Sequence, residues 1–175
     1  FNLKMIRKKQ YLLQKNMNTN LLSLILFFLI SFNSYGSSPQ DIIRKLGFQK
    51  TNSVPIDFTL QDLNGNTTTL SEYKGKWILI NFWATWCGPC RMEMPTLESL
   101  HQEFKDENFV ILGVSVDQSS KKRVSKFIKN NNITFKILHD QTSRVSGQYR
   151  ASSIPSLYLI SPDWKLVGIF RGGKS

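Results

Sequence analysis

The stretch Phe82-Trp83-Ala84-Thr85-Trp86-Cys87-Gly88-Pro89-Cys90 decides the reading of this 175-residue chain and holds its only two cysteines. Upstream, Trp77-Ile78-Leu79-Ile80-Asn81-Phe82-Trp83 is almost wholly apolar, the pattern of a strand covered on both faces. Downstream, Leu97, Leu100 and Phe104 recur at helical spacing among Glu98, Glu103 and Lys105, with a kink expected at Pro95. The first cysteine therefore follows a central strand and opens a helix. Taken alone, a Cys-x-x-Cys pair is open to a redox, a zinc or an accidental reading. A structural zinc site needs four N or S ligands, and His101 and His139 are not in a finger spacing. A purely structural disulfide between such close neighbours stabilises little, because the gain grows with loop length. At a helix N-terminus, by contrast, backbone N–H groups and the helix dipole favour a thiolate, lowering the pKa of Cys87 and making it a nucleophile. Cys90, one turn further in, is suited to resolving a mixed disulfide.

The pattern extends outward on both sides. Asp57-Phe58-Thr59-Leu60 alternates, Asn64-Gly65 marks a tight turn, and residues 67–70 return, which predicts a β-hairpin. Residues 109–116 read as a second buried strand. Ser119 or Ser120 can cap a helix carrying Val124, Phe127 and Ile128 on one face, which ends at Asn130-Asn131-Asn132. A short strand over 133–138, a weak helix over 143–149 and a hairpin of 156–160 with 165–170 around Pro162-Asp163 complete the chain. Strands alternating with helices and flanked by hairpins predict an α/β layered sheet with some antiparallel strands. No linker divides residues 55–175, which read as one domain, and residues 37–54 read as a polar lead-in with one helical candidate at 41–46.

The N-terminal part is different in kind. Residues 1–36 carry Lys4, Arg7, Lys8, Lys9 and Lys15, no acidic residue, and an apolar run over 21–32 closed by Asn33 and Ser34. Ser34-Tyr35-Gly36 offers small residues at the spacing a signal peptidase cuts, so a secretory signal cleaved after Gly36 is expected. The competing reading is an uncleaved anchor, with residues 21–32 as a membrane tether, although that run is shorter than the roughly 20 apolar residues of a span. No cysteine lies near its end, which argues against a lipoprotein. Phe1 is not an initiator; Met5 keeps the positive segment and Met17 loses it, so residues before Met5 read as an upstream artefact. Either leader places the protein in the periplasm or another extracytoplasmic space, where thiols can oxidise. Removing those five basic residues lowers the net charge from +11 to +6. Lys121, Lys122, Arg123, Lys126 and Lys129 read as the solvated face of one helix. Without interleaved stacking aromatics they do not predict a nucleic-acid partner.

The run from Asn81 through Cys87-Gly88-Pro89-Cys90-Arg91-Met92-Glu93-Met94-Pro95 resembles the exported branch of the thioredoxin superfamily, the TlpA/ResA-like thiol-disulfide oxidoreductases. The similarity covers about residues 55–171, including Asp57-Phe58, Gly75-Lys76, an insertion around 117–140 and Ile154-Pro155-Ser156. It implies an α/β thioredoxin-like fold with an N-terminal β-hairpin and a central strand–helix insertion. It implies an enzyme that takes electrons from a membrane thiol donor and reduces protein disulfides outside the cytoplasm, apocytochrome c among them. On this resemblance Cys87 attacks, Cys90 resolves, and Pro155 is a cis-proline packed against the disulfide, leaving the backbone of Ile154 to pair with a substrate strand. Trp86, Gly88 and Pro89 share the substrate contact. The redox group is the Cys87–Cys90 disulfide itself, with no other cofactor and no metal. Glu93 matches an acidic residue of cytochrome-maturation members. Three residues beyond Cys90 on a helix, it can take the proton Cys90 must lose. Asn81 stands where cytoplasmic thioredoxins place a buried aspartate, and it cannot titrate. The bland alternative for Glu93 is an ordinary surface glutamate.

Three features depart from the family pattern. Ser152-Ser153-Ile154 lacks the usual small Gly, Pro162-Asp163-Trp164 lacks the turn Gly, and the family's last helix would begin near Ser175. The chain is therefore expected to lack that C-terminal helix, leaving one sheet face uncovered. Two other classes compete with this reading. A thiol peroxidase wants a Thr-x-x-Cys loop, which Thr85 does not supply. A copper chaperone of the same fold would use Cys87, Cys90 and His139 as soft ligands, but Gly-Pro between the cysteines is the redox dipeptide.

Overall fold

The apolar run around Asn81 becomes an interior strand because both of its faces find cover. In the computed structural model, which describes residues 47–118 and 120–172, the elements run in this order. β1 (Gln49–Ser53), β2 (Thr59–Asp62), β3 (Thr67–Thr69) and a 3-10 turn (Leu70–Tyr73) come first. They are followed by β4 (Trp77–Trp83), α1 (Gly88–Phe104), β5 (Phe109–Ser115), α2 (Lys121–Asn130) and β6 (Lys136–His139). α3 (Arg144–Gln148), β7 (Ser156–Ser161) and β8 (Lys165–Arg171) complete the series. All eight strands join one sheet in the order β1-β8-β7-β4-β5-β6-β2-β3. β4, β5 and β6 run parallel, whereas β7 and β8 are antiparallel. This is the thioredoxin-like α/β architecture the resemblance implies. The β2–β3 hairpin sits on the β6 edge, and α2 with β6 forms the insertion.

Alternation along β4 sorts the core. Leu79 and Trp83 pack with Met94, Leu97 and Leu100 of α1, and with Val124 of α2. Ile78, Ile80 and Phe82 face the other way, toward Leu70, Val145, Tyr149 and Tyr158. Asn81 shares the parity of Leu79 and Trp83, so it points toward the α1 side.

Several expectations change in detail. Residues 49–53, read as lead-in, form β1 on β8, and the preceding Phe48 is buried against Phe170. A strand with no alternating apolar face, Gln-Lys-Thr-Asn-Ser, gives no periodic signal; pairing with a sheet edge makes it. Helix α1 runs on through Pro95, which lies inside it, and buries Met94, Leu97 and Leu100. In the β7–β8 turn, Trp164 adopts φ 62° where a glycine would be free of strain. The leader over 1–36, the helical candidate at 41–46, Ser119 and the chain end at 173–175 lie outside the described residues. Among those described, the last element is β8.

Candidate active site

Where β4 ends, the chain turns through Ala84-Thr85-Trp86 and enters α1. Cys87 is the N-cap, in extended backbone geometry, with Pro89 in the first turn, a position where its missing N–H is not needed. The Cys87 Sγ accepts the Cys90 backbone N–H at 3.2 Å. Arg91 N donates to the Cys87 carbonyl at 3.1 Å, closing the first helical turn. Cys87 and Cys90 form a disulfide with their Cα atoms 5.3 Å apart. Cys90 is wholly buried and Cys87 is 6% exposed, so the cysteine that reaches the surface is the first one.

The loop before β7 completes the site. The Ile154–Pro155 bond is cis, as the resemblance implied. The Ile154 carbonyl oxygen lies 3.7 Å from Cys87 Sγ. In the disulfide the sulfur carries no proton, so this is a close approach; a reduced Cys87 thiol could donate along it. Behind the loop, Gly172 N donates to the Pro155 carbonyl at 2.8 Å. Trp86, Gly88 and Pro89 are exposed beside the disulfide. Trp86 and Ile154 line a groove of about 360 Å³ that Arg150 and Ser152 also border.

Glu93 lies on α1 one turn past Cys90. Its Oε1 is buried without a hydrogen-bond partner. Burial pushes its pKa up to about 8, and the Asn81 side chain, facing it from β4, offsets part of that. The ordinary surface glutamate is thereby set aside. Asn81 is fully buried, and its parity on β4 is what puts an amide, rather than an apolar group, next to this carboxyl.

His139 does not join the cysteines. Its Nε2 lies 2.7 Å from the Asp117 carbonyl, which accepts from it. Among the described residues no three or more His, Cys, Asp or Glu side chains gather as metal ligands do. Sequence reasoning missed Asp117, which is buried and bonded to Thr85. A signal existed: Thr85 and Asp117 each fall two residues beyond the ends of β4 and β5, adjacent parallel strands with Trp83 opposite Ser115. It also missed Gly172, whose close approach to Pro155 leaves no mark in composition.

A strand-to-helix turn that presents a Cys-Gly-Pro-Cys disulfide beside a cis-proline, on this sheet, defines a thioredoxin-fold thiol-disulfide oxidoreductase. The chain belongs to the AhpC/TSA family, which matches residues 51–169. It is 33% identical over 141 residues to the thioredoxin-like protein YneN of Bacillus subtilis, covering 80% of this chain and 82% of that one. It is 37% identical over 120 residues to the thiol-disulfide oxidoreductase ResA of Geobacillus kaustophilus, covering 69% and 68%. Against ResA of Bacillus subtilis, 36% identical over 116 residues, the match covers 66% of this chain and 64% of that one. Among solved structures, the thioredoxin domain of a Bacteroides vulgatus thiol-disulfide oxidoreductase superposes with a TM-score of 0.64 at 32% identity, covering 71% of this chain and 91% of that one. A thiol:disulfide interchange protein from a Bacteroides species gives 0.62 at 33% identity, covering 68% and 80%.

Proposed function

We propose that the protein reduces disulfides of exported proteins outside the cytoplasm through Cys87-Gly88-Pro89-Cys90, apocytochrome c before haem attachment being the favoured substrate class. The observation that carries this reading is the Cys90 N–H on the Cys87 sulfur at the mouth of α1, which favours the thiolate. In the reduced enzyme the Cys87 thiolate attacks one sulfur of the substrate disulfide, forming a mixed disulfide and releasing the other substrate sulfur as a thiolate. Cys90 then loses its proton to Glu93 and attacks the Cys87 sulfur. The second substrate sulfur leaves as a thiolate, and the substrate has gained two electrons. The enzyme is left as the disulfide seen here, and a membrane thiol donor returns it to the dithiol. Electrons enter and leave through the cysteine pair alone. Trp86, Gly88, Pro89 and the Ile154 backbone hold the substrate strand beside the sulfur.

A trapping experiment tests the reading. Cys90→Ser should accumulate a covalent adduct with an oxidised apocytochrome c peptide, releasable by dithiothreitol, whereas Cys87→Ser should form none. Failure of Cys90→Ser to trap that peptide while it traps other oxidised exported proteins would remove the cytochrome assignment. Failure to trap any disulfide protein would remove the reductase reading.

A further inference from the structure

We infer that Asp117 is a positioning residue for Cys87, its buried carboxylate clamping the turn that carries the nucleophile. The inference rests on Cys87 being the attacking thiol. One carboxylate oxygen, Oδ2, accepts from Thr85 N at 2.9 Å and from Ser115 Oγ at 2.9 Å. The other, Oδ1, accepts from the Thr85 hydroxyl at 2.6 Å. Both oxygens are thus used, and two of the three bonds go to a residue two places before Cys87. Asp117 is itself held from behind. Its N–H donates to Ser115 Oγ at 3.2 Å, and its carbonyl accepts from His139 Nε2 at 2.7 Å. Val116 N donates to the Trp83 carbonyl at 2.9 Å, tying the two strand ends together just beneath.

A fully buried carboxylate is costly unless its hydrogen bonds are made. Here they are made to one turn, and that turn decides where Cys87 leaves the strand. Within it, Cys87 N donates to the Ala84 carbonyl at 3.2 Å. The placement of Cys87 Sγ over the Cys90 N–H therefore depends on the Thr85 backbone being fixed, and Asp117 fixes it. Asp117 acts through Thr85 and touches neither sulfur nor substrate. The titratable groups around this turn are Asp117 and His139 behind it and Arg150 across the Trp86 groove.

The test alkylates the reduced full-length protein with iodoacetamide across the pH range and follows the Cys87 label by mass spectrometry. Asp117→Ala should raise the midpoint of the Cys87 profile by about one unit, a roughly tenfold loss of thiolate below the midpoint. The more basic thiolate is the better nucleophile, with a Brønsted slope of about 0.4–0.5. The net rate in mildly acidic solution should accordingly fall about threefold. Asp117→Asn keeps an oxygen for Thr85 N and Ser115 and an amide for the Thr85 hydroxyl, so it should restore the wild-type midpoint. An Asp117→Ala profile superimposed on wild type would overturn the inference. So would an Asp117→Asn profile raised as far as that of the alanine variant, since the amide keeps the clamp's bonds, and losing the carboxylate charge alone would lower the midpoint. Should Asp117→Ala not fold, Thr85→Val deletes the hydroxyl bond alone and should shift the midpoint the same way by less; an unshifted profile overturns the inference. Wild-type labelling at Cys90 before Cys87 would instead contradict the nucleophile assignment, and is read before any variant is compared.

Discussion

Glu93 holds its proton to about pH 8 in the folded chain because burial disfavours its charge, against an ordinary value of 4.5. Between those values the folded state carries a proton that the unfolded state has lost, so stability is full below pH 4.5 and is lost as pH rises through about 8. At about 1.4 kcal/mol per unit, wild type should lose roughly 3–4 kcal/mol relative to Glu93→Gln between pH 5 and pH 8. Urea unfolding of the oxidised proteins at both pH values checks this, and parallel pH dependences would contradict it. On the proposed mechanism, the same ionisation sets the pH profile of proton transfer from Cys90 to Glu93. The rate of mixed-disulfide resolution should climb toward pH 8 in wild type, and Glu93→Gln should lose that limb in stopped-flow traces. Glu93 was legible in the sequence because the helical period sets it three residues past Cys90, and Asn81 only through the family resemblance. Asp117 left only the matching two-residue overhang of β4 and β5 as a signal, because its partner Thr85 is 32 residues away and they meet only where two parallel strands end side by side.

Among the elements, β5 and the residue just past β8 each offer a glycine whose missing side chain makes room. A Cβ on Gly113 would meet Ile137 Cδ1 at 2.7 Å and Phe135 Cε2 at 2.9 Å, both ends of side chains that can shift. Gly113→Ala should cost about 1–3 kcal/mol in urea unfolding, as overpacking does, and leave insulin-disulfide reduction little changed. Just past β8, a Cβ on Gly172 would meet the Pro155 ring at 2.9 Å and its carbonyl oxygen at 3.0 Å, where backbone must move. Gly172→Ala should therefore displace the Ile154–Pro155 loop and lower insulin reduction several-fold even where the fold survives. Equal activity losses in the two variants would contradict this distinction. β4 was readable residue for residue, since a doubly covered strand is almost wholly apolar. Pro95 was legible as lying inside α1, whose run continues past it to Phe104.

Across the whole molecule, the folded unit begins earlier than the hairpin that announces it. β1 caps the β8 edge of the sheet, and Phe48 is 3% exposed with its ring centroid 5.9 Å from that of Phe170. Phe48→Ala should cost about 3–5 kcal/mol, the usual loss for truncating a buried phenylalanine; a denaturation midpoint equal to wild type would contradict the assignment of β1 to the core. The parallel centre of the sheet was legible because helices and strands there follow their own periods. The β1 edge was not, because Gln-Lys-Thr-Asn-Ser becomes a strand only through its neighbour. The site inherits its precision from the centre: three parallel strand ends, β4, β5 and β6, deliver Thr85, Asp117 and His139 to one place beneath the nucleophile.

The central claim is that Cys87, capping α1, is the thiol that attacks. Brief alkylation of the reduced protein at about pH 6, below the ordinary thiol range of about 8.5, tests it most directly. Peptide mapping should find the label on Cys87 with Cys90 unmodified; a label that falls first on Cys90, or equally on both, would contradict the account.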